Sequence, residues 1–156
     1  TAIVFGKHVI NPEGYGIAEI DSKKNVMSIA EKPSRPKSNL AVVGLYFYPN
    51  NVINIAKNVK PSKRGELEIT SINQKYLELN ELKLEILTRG IAWLDTGTQK
   101  ALSEATEFVK AVENSTGLKI ACLEEIALNY NWISKDGLLD NISELKGAYY
   151  NYIKKL

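Results

Sequence analysis

The chain holds one cysteine, one histidine and one methionine in 156 residues. A single thiol excludes an intramolecular disulfide and fits a reducing, cytoplasmic setting. With the only histidine, His8, far away in sequence, Cys122 lacks a base and reads as a buried thiol. Nor do these residues supply a Ser-His-Asp or Cys-His arrangement, a Cys/His metal cluster or a P-loop lysine motif. Excess charge of one sign is also missing. Twenty basic residues face 18 acidic ones, interspersed, for a net charge of +2. Without a basic block or a basic-aromatic stripe, nucleic-acid binding lacks its usual footprint. The longest uncharged apolar run, Leu40 to Tyr48, is far too short to cross a bilayer, so no membrane partner is expected. Internal repeats and low-complexity segments are absent.

What remains is ordinary for a globular chain: 44% hydrophobic and 24% charged residues. The length suits one compact domain that buries about two-thirds of its unfolded surface. The first residues, Ala2 to Phe5, form an apolar run with neither an initiator Met nor a signal-peptide pattern ahead of them. That start is expected of a piece cut from a longer polypeptide.

Patterning predicts strands at Ala2–Phe5, 16–21 and 26–30, the last two joined by a turn at Ser22–Asn25. Leu40 to Tyr48, rich in β-branched and aromatic residues, reads as a strand buried on both faces in the middle of a sheet covered by helices. A short helix is predicted at Val52–Lys57, a second at Glu66–Asn80, and a strand at Lys83–Thr88. Ile91–Leu94 reads as a short strand that delivers Asp95 to its end. The stripe Ala101, Leu102, Ala105, Phe108, Val109 and Val112 marks the longest helix, closed by Gly117. Three helices follow, over 123–130, 134–146 and 148–156, and the tyrosine-rich tail suits either the sheet or a second subunit.

Four clusters could carry chemistry. Asp95 at a strand end is suited to a hard divalent cation, which is usually bound by one or two carboxylates plus substrate phosphates. The structural alternative is that Asp95 ends a strand while Thr96 caps the next helix, with Gln99 as its reciprocal partner. Tyr15-Gly16 precedes a strand, and glycine there allows a close backbone approach or simply a turn. Glu31-Lys32-Pro33 places an acid for sugar hydroxyls and a compact cation for a phosphate at a strand end, or else a solvated edge. In Lys63-Arg64-Gly65-Glu66-Leu67-Glu68-Ile69-Thr70, the helix macrodipole accounts for the acids but not for Arg64, which could complement Lys32 around a phosphate. A metal-binding carboxylate, two phosphate cations and hydroxyl-binding groups together suit a phosphorylated sugar.

These motifs, with Val43-Gly44-Leu45-Tyr46-Phe47-Tyr48 and Trp93-Leu94-Asp95-Thr96-Gly97-Thr98, occur in an order that resembles the sugar nucleotidyltransferases. Among them the chain is most similar to the sugar-phosphate half of the glucose-1-phosphate thymidylyltransferases (dTDP-glucose pyrophosphorylases). The likeness extends through Gly117-Leu118-Lys119-Ile120, Cys122 and Glu124-Glu125-Ile126-Ala127. It implies an α/β fold: a partial mixed sheet of the Rossmann-like nucleotidyltransferase type, with flanking helices and a helical C-terminal region. Residues 1–117 would be the sugar-phosphate-binding half and residues 118–156 the helical region.

The implied reaction joins dTTP and glucose 1-phosphate, with Mg²⁺, into dTDP-glucose and pyrophosphate, a step toward dTDP-rhamnose, in a cytoplasmic homo-oligomer. The family pattern makes Lys32 the cation on the sugar phosphate, assisted by Arg64, and Asp95 one of two aspartates on Mg²⁺. Tyr15, Gly16, Glu31 and Val42 would line the sugar site, with Glu66 and Trp93 in support. The family's glycine-rich phosphate loop, base pocket and second metal aspartate are not among these residues, so the chain alone is expected to be inactive. Ser71 stands where the family usually has Asp. A uridylyltransferase, or a non-catalytic module for sugar-phosphate binding or assembly, are the alternative readings.

Overall fold

The computed structural model describes every residue from Thr1 to Leu156. It divides into two compact units, Thr1–Trp93 and Leu94–Leu156, each with an apolar cluster of its own.

The first unit is built on five strands: β1 (Ala2–His8), β2 (Gly16–Ile20), β3 (Val26–Glu31), β4 (Leu40–Phe47) and β5 (Leu82–Ile86). They lie in the order β3-β2-β4-β1-β5. All neighbours are antiparallel except β1 and β5, so the sheet is mixed, as expected. The turn between β2 and β3 is held by Asp21, whose carboxylate accepts from the backbone of Lys23 and Asn25 at 2.8 Å each. Two helices complete the unit: α1 (Val52–Lys57), where the sequence puts it, and α2 (Ile69–Glu78). Val4, Ala18, Ile29, Leu40, Val42 and Leu84 are among the buried residues of its core. Gly6 is needed there, since a Cβ would lie 2.9 Å from Leu40 Cδ1 and 3.1 Å from Leu84 Cδ2.

Three expectations are corrected in this unit. β4 is buried on both faces only from Leu40 to Val43. Its second half emerges because β2 pairs only as far as Ala41, while β1 alone continues to Phe47. Helix α2 begins three residues later than predicted. The stretch before it is a folded loop in which Ser62 N–H donates to the Glu66 carbonyl (2.8 Å), Gly65 takes φ +81°, and Glu68 is extended. Finally, 91–94 is not a strand. No neighbouring strand offers it a ladder, and Ile91 N–H instead closes a turn onto the Thr88 carbonyl. Lys7 Nζ fixes this turn by donating to the carbonyls of Thr88 (3.2 Å) and Ile91 (2.9 Å).

The second unit is helical: α3 (Gln99–Thr116), α4 (Leu123–Asn129), α5 (Lys135–Ile142) and α6 (Ala148–Ile153). Thr98, not Thr96, caps α3, its hydroxyl accepting from Ala101 N–H at 3.1 Å. That hydroxyl is three residues before the donor, the spacing that satisfies a free amide in the first turn. Gly117 closes α3 in the left-handed conformation (φ +73°), as the sequence suggests. Only Ala105 of the predicted α3 stripe is buried; Leu102 and Phe108 stand in solvent. Cys122, Leu138, Ile142 and Ile153 form the core of the unit, so the thiol is buried as expected. Tyr149 and Tyr152 tie α6 to α4 by donating to Glu124 (2.5 Å) and Glu125 (2.6 Å). No helix of the chain is long and apolar enough to cross a membrane.

Candidate functional site

Strand pairing brings two of the sequence clusters together. β2 and β3 are in register with Gly16 opposite Glu31, and Lys32 N–H continues the ladder by donating to the Tyr15 carbonyl at 3.1 Å. The chain then leaves the sheet: Lys32 adopts φ +36°, a conformation that is costly for a side-chain-bearing residue, and Pro33 follows. The Lys32 side chain is exposed and forms none of the ion pairs of the structure.

Glu31 points from the strand end toward α2. Its Oε2 accepts a short hydrogen bond from the Thr70 hydroxyl, and its Oε1 lies 3.9 Å from Arg64 Nη1. Gly16 makes this possible. A Cβ on residue 16 would lie 3.3 Å from both Glu31 Oε2 and Thr70 Oγ1. The close approach that calls for glycine is therefore to the carboxylate opposite, within the protein itself. The same negative charge, after burial, holds the Tyr46 phenol above its usual range.

Arg64 now has an explanation the macrodipole could not give. Its guanidinium faces three carboxylates: Glu66 at 3.1 Å, Glu68 at 3.3 Å and Glu31 at 3.9 Å. Glu68 is the most enclosed of these, and Ser62 Oγ also donates to it (2.9 Å). Three carboxylates outnumber the single charge of Arg64, and Lys32, next to Glu31 in the chain, is the cation here that enters no ion pair. Trp93 stands edge-on to Tyr15, with ring centroids 5.2 Å apart. Tyr15, Gly16, Glu31, Lys32, Arg64, Glu66 and Trp93 thus form one connected set within the first unit. Val42 is different: its side chain belongs to the apolar core.

Asp95 lies in the second unit, on irregular backbone rather than at a strand end. Its carboxylate is exposed and outside every ion pair, and a Cβ on Gly97 would lie 3.3 Å from Oδ2. No three His, Cys, Asp or Glu side chains gather into a metal cluster. One free, hard oxygen donor fits a magnesium ion that takes its other ligands from water and substrate phosphates.

Two participants escaped the sequence reading. Thr70 is buried against Glu31 although its type and position carry no mark beyond a helix start. Gln74, one turn on, donates to the Ile29 carbonyl (3.0 Å) and fixes α2 against β3. No local pattern marks either residue, because their partners lie 39 and 45 residues away in the chain.

The nucleotidyl transferase family model matches residues 1–112. Over 156 residues the chain is 50% identical to a glucose-1-phosphate thymidylyltransferase of Neisseria gonorrhoeae, covering 99% of the chain and 54% of the relative. It is 46% identical over 154 residues to the Mycobacterium tuberculosis enzyme of the same name, covering 98% of the chain and 54% of that protein. The chain spans about half the length of the curated relatives it matches. A Bacillus anthracis structure described as a glucose-1-phosphate thymidylyltransferase, solved with sucrose, superposes with TM-score 0.61 at 40% identity, over 69% of this chain and 42% of its own. A UDP-glucose pyrophosphorylase in complex with UDP-glucose, at 23% identity and TM-score 0.60, shares the fold over 69% of this chain and 43% of its own. The family match and these likenesses agree with the mixed sheet and flanking helices seen here: the chain belongs to the nucleotidyl transferase family.

Proposed function

We propose that this chain supplies the sugar-phosphate site of a glucose-1-phosphate thymidylyltransferase, with residues 1–117 as the binding half and 118–156 as a helical region. The reaction would be attack of the glucose 1-phosphate oxygen on the α-phosphorus of dTTP, expelling pyrophosphate and leaving dTDP-glucose. The observation that carries this reading is the β2–β3 strand end, where an unpaired lysine stands beside a carboxylate anchored by Thr70. Family membership and the 46–50% identity to thymidylyltransferases support it.

In this reading Lys32 holds the sugar phosphate as a point charge, and Glu31 accepts from the sugar hydroxyls. Arg64 keeps Glu31, Glu66 and Glu68 in place and lends part of its charge to the phosphate. Trp93 and Tyr15 offer an aromatic wall. Val42 takes part only as a member of the apolar core of the first unit. Asp95 would hold Mg²⁺, which when bound offsets charge on the phosphates. Positioning and charge offset carry such a transfer, because the protein has little covalent chemistry to perform. These residues include no glycine-rich phosphate loop, so this chain by itself would bind the sugar phosphate without turning it over.

Pyrophosphate release by the polypeptide that the natural gene encodes, with glucose 1-phosphate and either dTTP or UTP, tests the reading. Faster turnover with dTTP is expected; a clear preference for UTP would make it a uridylyltransferase, and no release with either would refute the transfer.

A further inference from the structure

A groove of about 650 Å³ lies between α1 and α2, lined by none of the residues assigned to the sugar-phosphate site. Its size falls within the roughly 300–1,000 Å³ of small-molecule sites. Ile55 and Val59 supply apolar surface, and the polar lining is Asn54, Asn58, Ser71, Lys60 and Lys75. No carboxylate is among the lining residues. Lys60 belongs to no ion pair of the structure, whereas Lys75 is engaged by Glu78 at 2.8 Å. The Asn54 backbone carbonyl accepts from Asn58 Nδ2 (2.7 Å), so the Asn58 amide is already engaged. An unpaired ammonium, a side-chain amide and a hydroxyl lining one groove with two branched aliphatic side chains complement an anion that carries an apolar body.

We propose that the α1–α2 groove binds a small phosphate monoester, with the phosphate on Lys60 and Ser71 and the apolar body against Ile55 and Val59. A compact lysine charge suits a phosphate, and the aliphatic surface adds what inorganic phosphate cannot use. The site stands apart from the sugar-phosphate reading and depends on none of its residues.

The test is a titration of the ¹⁵N-labelled chain with 4-nitrophenyl phosphate, with inorganic phosphate in parallel. Saturable amide shifts confined to Asn54, Val59, Lys60 and Ser71 are expected, with inorganic phosphate at least tenfold weaker. Lys60→Gln should weaken binding about tenfold, as loss of one charge-assisted contact does, and Val59→Asn should weaken the ester alone. Equal affinity for inorganic phosphate would overturn the two-part site. Shifts at Gly16 and Glu31 instead, or affinity unchanged in Lys60→Gln, would overturn the groove.

Discussion

At the scale of single residues, the candidate site depends on a glycine that makes room for a carboxylate. Gly16→Ala would push a methyl against Glu31 Oε2 and Thr70 Oγ1, both only 3.3 Å from the added carbon. Weaker glucose 1-phosphate binding is expected with little loss of stability, since one partner can rotate away; calorimetric titration and a urea melt separate the two effects. Thr70→Val removes the donor while keeping the shape, and leaves a partly buried acceptor unmet. It should cost about 1 kcal/mol in urea unfolding, the low end for a group that water still reaches. How much of this was legible in the sequence differs residue by residue. Glu31 and Lys32 are legible because Pro33 ends the strand and leaves an acid and a base at its edge. Thr70 is not, because its partner is distant in sequence and only the packing of α2 on β3 brings them together. Arg64 stands out in the sequence as a cation that the helix dipole does not explain, yet its three carboxylate partners follow from a loop that periodicity does not describe.

At the scale of elements, the strands of the first unit were legible where alternation or continuous apolarity had a partner strand to satisfy. Ile91–Leu94 looked like a strand by composition and is not one, since β character requires a ladder and Lys7 takes the local carbonyls instead. The α3 boundary moved from Thr96 to Thr98 because both are cap-competent and only the chain geometry selects between them. Thr98→Ala should destabilise the second unit by about 1 kcal/mol, with Thr96→Ala near neutral, as judged by thermal melts of the two variants. Gly6→Ala would force a methyl into Leu40 and Leu84, both buried, and should cost about 1–3 kcal/mol by overpacking.

At the scale of the whole molecule, both units carry acid-sensitive carboxyls: Asp21 in the β2–β3 turn is held low chiefly by the Asn25 side chain, and Glu113 and Glu124 lie in the helical unit. Glu113 is held below its ordinary value of 4.5 by Lys119 and then by the Ile120 amide; Glu124 is held below it chiefly by the Tyr149 hydroxyl. Carboxyls depressed in the folded state contribute stability above their unfolded value, and that contribution is lost as pH falls through the lower folded values. The melting temperature should therefore be flat above pH 5 and fall below about pH 4.5. Glu113→Gln should flatten that acid limb in melts recorded across pH 3–7. Tyr149 titrates above its normal range because its hydroxyl donates to the Glu124 carboxylate, which opposes its ionisation, so alkaline loss of this contact lies beyond the usual phenol range.

The measurement that bears most directly on the central claim is a titration of glucose 1-phosphate into this chain and its Lys32→Ala variant. The account predicts saturable binding with amide shifts at Gly16, Glu31 and Thr70, and about 10–100-fold weaker binding once the lysine is removed, the worth of one hydrogen bond to a charged group. Equal binding by the two proteins, or shifts that leave the β2–β3 strand end untouched, would contradict it.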